Sequence, residues 1–173
     1  MITFTLPRQL RRIPRKRLKE FYDAFFKCAS QAIRQLCATR LKGDCGMVGV
    51  LHTNSRRLDF HPHIHFVIPA LILKNDFQSV LKLTKKFFLH GNALAELFRG
   101  KFLSALKELK IDFPRYLYNK KWNTDCSAKG NGEGVFKYLS RYLMRGVVSE
   151  KALVRKDGKV ILSYLTNDKR PKK

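Results

Sequence analysis

The chain has 173 residues, with 36 Lys plus Arg against 13 Asp plus Glu, a formal net charge of +23. With 45% hydrophobic residues, 13 Phe and 6 Pro, it carries enough apolar side chain for a packed core, which excludes disorder as its main state and fits one domain. Such a charge opposes compaction by self-repulsion and points to a polyanionic partner, nucleic acid first and an anionic membrane surface second. The N-terminus has no apolar signal-like run, and the longest apolar stretch, Phe66 to Leu73, falls far short of the ~20 residues that span a bilayer, so a soluble, cytoplasmic protein with no membrane partner is expected. Cys28, Cys37, Cys45 and Cys126 show no CxxC spacing and read as reduced thiols.

Residues 2 to 6 alternate loosely and stop at Pro7, which predicts a short strand. From Pro14, apolar residues at Leu18, Phe21, Tyr22, Phe25, Phe26, Ala29, Ile33, Leu36 and Cys37 follow helical spacing and stop before Gly43, predicting one long amphipathic helix. Two β-like runs, Gly46 to Thr53 and Phe60 to Pro69, are joined by a polar loop and read as adjacent antiparallel strands. Asp76 is a candidate N-cap for a helix carrying Phe77, Val80, Leu81, Phe87 and Phe88, and Asn92 for another carrying Leu94, Leu97, Phe98, Phe102, Ala105, Leu106 and Leu109. The stretch around Trp122 is left open between strand and loop. A glycine-rich loop, residues 129–134, then feeds a helix from about Val135 to Arg145, and Asp157-Gly158 predicts a hairpin turn between Leu153 to Lys156 and Lys159 to Leu165. The expectation is an α+β fold, an antiparallel sheet with flanking helices over residues 1–166, followed by a disordered basic tail, 167–173.

His61, His63 and His65 stand at alternate positions of one strand and therefore point to the same face. Cα atoms two residues apart lie about 6.7 Å from each other, close enough for two imidazoles to share an ion, whereas four residues span about 13 Å. His63 and His65 are the candidate pair. His52, on the preceding strand, is the candidate third ligand, provided the register turns it to the same face. His61 is expected beside the ligand set or against substrate. By softness alone three imidazoles suit Zn, Cu, Ni or Fe and have no special preference for Mg.

On the helix from Val135, Tyr138 and Tyr142 lie about 40° apart, between a basic stripe of Lys137, Arg141 and Arg145 and an apolar stripe of Val135, Leu139 and Leu143. A phenol so placed is anchored by packing, with its hydroxyl among cations that stabilise phenolate and gather phosphates. Amphipathic tyrosines also belong at such boundaries for purely structural reasons.

The segments GVLHTNSRRLDFHPHIHFVIPA (Gly49 to Ala70), FFLHGNALAELFRGKFL (Phe87 to Leu103) and VFKYLSRYLMRGVVS (Val135 to Ser149) together resemble the two-tyrosine HUH transposases of rolling-circle insertion sequences, relatives of rolling-circle replication initiators. The resemblance implies an HUH endonuclease-like core in which His63 and His65 are metal ligands, Tyr138 and Tyr142 are nucleophiles, and the divalent cofactor is Mg or Mn. It implies nicking and transfer of single-stranded DNA through a 5′-phosphotyrosine intermediate, with Lys137, Arg141 and Arg145 on the DNA. Members of that family usually carry a Cys-rich zinc-binding region ahead of this domain and continue beyond it. The chain, from FTLP to KRPKK, is expected to be a shortened copy without that region. The alternatives are a catalytically decayed or unrelated basic nucleic-acid-binding protein, and a structural zinc protein. Metal-dependent nicking separates the enzyme from both.

Overall fold

The computed structural model describes residues 1–11, 15–55, 59–76, 78–83, 89–127, 140, 153–156, 158–162, 164–165 and 171–172. Ile2–Thr5 forms β1, as expected, with Ile2 and Phe4 buried and Thr3 and Thr5 facing the other way. Two short 3-10 turns, Arg8–Arg11 and Arg15–Arg17, lead into helix α1, Leu18–Leu41. Its inward face is the one the apolar spacing marks: Phe21, Phe25, Ala29, Ile33, Leu36 and Cys37 are buried, together with Cys28 and Ala32. Lys42, in left-handed conformation at φ 52°, ends α1 and turns the chain into β2, Gly43–Asp44.

Strands β3, Val48–Asn54, and β4, Phe60–Val67, pair antiparallel. Strand β4 also pairs with β1, and β1 with the three-residue strand at Thr124–Cys126, giving a four-stranded antiparallel sheet in which the N-terminal strand is central. Helices α1 and α2, Gly91–Glu108, pack together and cover one face of it. The core is aromatic. The Phe4 ring lies 5.0 Å from Phe98 and 6.0 Å from Phe66, and Phe25 sits 5.5 Å from Phe102, all centroid to centroid. Gly49 of β3 permits the close approach of α1, since a Cβ there would stand 2.5 Å from the Phe26 ring and 2.6 Å from that of Phe66. Helices on one face leave the other face of the sheet for polar side chains.

Two local expectations are corrected. In place of a helix capped by Asp76, the chain makes a hairpin of β5, Leu71–Lys74, and β6, Val80–Lys82, with β5 also pairing with β2. Asp76 Oδ1 accepts hydrogen bonds from the backbone N–H groups of Gln78 and Ser79, both 2.9 Å, so its capping chemistry closes a turn. Phe77 and residues 84–88 lie outside the described residues. Helix α2 begins at Gly91 with His90, not Asn92, at its N-cap, and no side chain caps it. The stretch left open around Trp122 holds a strand, β7, Thr124–Cys126, just after Trp122 itself, which is buried with its indole N–H donating to the Leu117 carbonyl at 3.2 Å.

The hairpin of β8, Leu153–Lys156, and β9, Lys159–Leu162, forms where expected, with Gly158 at φ 71°, although β9 stops at Leu162. Two residues of the tail expected to be disordered, Pro171–Lys172 (β11), pair with Tyr164–Leu165 (β10). All four cysteines are free. No helix among the described residues is long and apolar enough to cross a membrane.

Candidate active site

The face of the sheet opposite the helices carries the histidines. Alternation along β4 buries Ile64 and Phe66 against the helices and turns His61, His63 and His65 the other way. Register decides the third imidazole. His52 lies directly opposite His63, and directly opposed residues of an antiparallel pair share a face. The irregularity that shifts the register falls after His52, between it and Asn54, so it leaves this pairing intact.

The three rings form a nearly equilateral triangle, with centroids 4.9 Å apart for His52–His63, 4.9 Å for His52–His65 and 5.0 Å for His63–His65. One nitrogen from each lies within 4.8 Å of the others. His61 stays outside this triangle, its ring 5.2 Å from that of His63. Its backbone contributes instead. His63 Nδ1 is 2.7 Å from the His61 carbonyl, which can only accept, so the proton sits on Nδ1 and Nε2 keeps its lone pair. That Nε2 is 3.2 Å from His52 Nδ1.

The donor set fits a divalent ion. Burial, reinforced by the neighbouring imidazoles, lowers the pKa of His52 and pushes that of His65 down to about 4, so both rings are neutral near pH 7, as coordination requires. Three imidazoles leave coordination positions open, as catalytic sites do and closed structural sites do not. His65 is the most enclosed of the three, at 7% exposure, and its Nδ1 lies 2.9 Å from the Thr3 hydroxyl of β1. Sequence reasoning missed Thr3. Its signal is the alternation Ile2-Thr3-Phe4-Thr5, which sets two hydroxyls on the polar face of the central strand.

Of the segment carrying the tyrosines, Ser140 is described, helical and exposed. Tyr138, Tyr142, Lys137, Arg141 and Arg145 lie outside the described residues.

Residues 46–173 match the Y2_Tnp family, whose description is "Putative transposase". The chain belongs to the Y2 transposase family. This Y2 chain is 28% identical over 176 residues to "Putative transposase y4qJ" of Sinorhizobium fredii (strain NBRC 101917 / NGR234), an alignment covering 88% of the chain and 44% of that protein. It thus spans less than half the length of that relative. Among solved structures it is similar to "Conjugative Relaxase TrwC in complex with mutant OriT Dna", with a TM-score of 0.54 and 18% identity, covering 90% of the chain and 61% of the relaxase. At that identity the likeness concerns the fold alone, and it agrees with the α+β architecture of an antiparallel sheet with flanking helices.

Proposed function

We propose that this Y2 transposase domain nicks single-stranded DNA and transfers the cut strand, using Tyr138 and Tyr142 as nucleophiles and His52, His63 and His65 as metal ligands. The observation that carries the reading is the convergence of three imidazoles from β3 and β4 on a sheet face free of the two packing helices. Membership of the Y2 family supports it, as does the likeness to a relaxase described in complex with DNA.

His52, His63 and His65 would hold a divalent ion, which when bound would supply Lewis-acid polarisation of the scissile phosphate. The chain's own groups do the rest. One phenol gives up its proton and its oxygen attacks phosphorus, forming a tyrosyl ester to the 5′ side while the bond to the 3′ oxygen breaks and that oxygen takes up a proton. Lys137, Arg141 and Arg145, spaced along the same stretch of sequence, are assigned to the phosphates and to stabilising phenolate. The ester conserves the energy of the broken bond, so the freed 3′ hydroxyl of one strand can later attack it, and a second tyrosine allows one end to be held while another is cut.

The test is incubation with single-stranded oligonucleotides and Mg or Mn, scored for a covalent protein–DNA adduct. The adduct is expected in the wild type, absent on chelation and absent in the Tyr138→Phe/Tyr142→Phe double variant, which removes two hydroxyls and nothing else. An adduct that persists in the double variant rejects the nucleophile assignment. Binding without any adduct in the wild type favours a DNA-binding protein without catalysis.

A further inference from the structure

We propose that Thr3 is a positioning residue: its hydroxyl oxygen accepts the hydrogen bond from His65 Nδ1–H and so presents the Nε2 lone pair of His65 to the triad. The proposal rests on the reading of His52, His63 and His65 as a metal site. It concerns a strand that precedes the segment matched by the family, residues 46–173.

Sheet order supplies the geometry. Strand β4 lies between β3, which carries His52, and β1, which carries Thr3. Thr3 is the direct partner of His65 in the β1–β4 pairing, as His52 is of His63 in the β3–β4 pairing. The His65 ring therefore lies between Thr3 of β1, 2.9 Å from Nδ1, and His52 of β3, 4.9 Å away centroid to centroid, with His63 two residues back along β4 at 5.0 Å.

A neutral imidazole carries one proton, and its position decides whether the ring can bind an ion here. Were the hydroxyl to donate to Nδ1, the proton would sit on Nε2 and close that nitrogen to coordination. With Nδ1–H donating to the hydroxyl, Nε2 is open, and half-buried Thr3 can send its own hydroxyl hydrogen to solvent. The same division of labour holds at His63, whose Nδ1–H donates to the His61 carbonyl. Thr3 is itself held firmly, because its neighbours Ile2 and Phe4, 3% and 0% exposed, are locked into the core on the opposite face. Such partners of ligating histidines fix ring orientation and tautomer, and their loss typically lowers metal affinity about 10- to 100-fold.

The experiment compares wild type, Thr3→Val and Thr3→Ser in Mn2+ titration calorimetry of the full chain without DNA, and reads the histidine tautomers by long-range 1H–15N NMR. Thr3→Val keeps the shape and removes the hydroxyl; it should weaken Mn2+ binding by at least about 10-fold. Thr3→Ser should stay within about threefold of wild type, since the acceptor is retained. In the wild type the His65 proton should be on Nδ1. Equal Mn2+ affinity in wild type and Thr3→Val overturns the proposal and leaves the metal site standing. Should Thr3→Val fail to fold, a wild-type His65 protonated on Nε2, or a Thr3→Ser variant that binds as weakly as a histidine-to-alanine variant, overturns it equally. A wild type that binds no divalent ion, Mn2+ or Zn2+, overturns the metal site and with it the role of Thr3.

Discussion

Removing any one imidazole of the triangle leaves two donors, so His52→Ala, His63→Ala and His65→Ala should each weaken divalent-metal binding at least ~10-fold in calorimetry. His61→Ala should bind close to wild type: its ring lies outside the triangle, and the carbonyl that holds the His63 tautomer is backbone and survives the substitution. A comparable loss in His61→Ala would move the ion to the other end of β4. These four histidines also mark how far the sequence could be read at this scale. Alternation alone puts His61, His63 and His65 on one face, because side-chain direction in a strand has a period of two. Whether His52 joins them depends on pairing register, which a one-residue slip would reverse, and HTN with a loop after it does not encode that register. Thr3 was further out of reach, since its partner stands 62 residues away in the chain.

At the scale of elements, sequence and structure part where one side-chain chemistry serves two structures. An aspartate accepting from N–H groups two and three residues ahead is the start of a helix or the closure of a turn, and the residues beyond the turn choose between them. Here those residues form β6, and the hydrogen bonds to Ser79 and Gln78 hold the Asp76 carboxyl at about 2, below its ordinary 3.8. A depressed carboxylate pKa stabilises the fold above the ordinary value, and that contribution is lost as pH falls through the lower one. Asp76→Ala should therefore lower Tm at pH 7, with a difference from wild type that stays level to about pH 4 and shrinks towards pH 2. A difference independent of pH would show that the carboxylate charge is not what closes the turn. Strand β3 tolerates less: Gly49→Val puts a branched side chain where the Phe26 and Phe66 rings already stand, and urea denaturation should show a loss of about 1–3 kcal/mol. The long helix α1, by contrast, was legible almost residue by residue, because 24 residues repeat one period and chance seldom sustains that.

For the molecule as a whole the net charge of +23 sets the ionic-strength dependence of any nucleic-acid complex. With about five cations engaged on a single strand, the log–log slope of affinity against salt should be near −3.5, at roughly −0.7 per contact. Replacing Lys137, Arg141 and Arg145 with Ala should flatten it by up to ~2 units, while the double Tyr→Phe variant keeps the wild-type slope. A wild-type slope near zero in a filter-binding titration would detach the charge from DNA.

The place of β1 in the middle of the sheet bears on how the molecule assembles. Its two neighbours are β4 and β7, so Ile2 must find Phe66 on one edge and Cys126 on the other before the sheet is whole. Hairpins such as β3–β4 close locally and fast, within about 1–10 μs in isolation, whereas strands so distant in sequence must close long loops first. His52 and His63 are thus brought opposite each other early, with His65 two residues further along the same strand, and the strand carrying Thr3 joins them in the slow step. On a ribosome β1 waits for a partner more than a hundred residues behind it, and until β7 arrives it presents an unpaired edge of the kind that recruits stray strands from other chains.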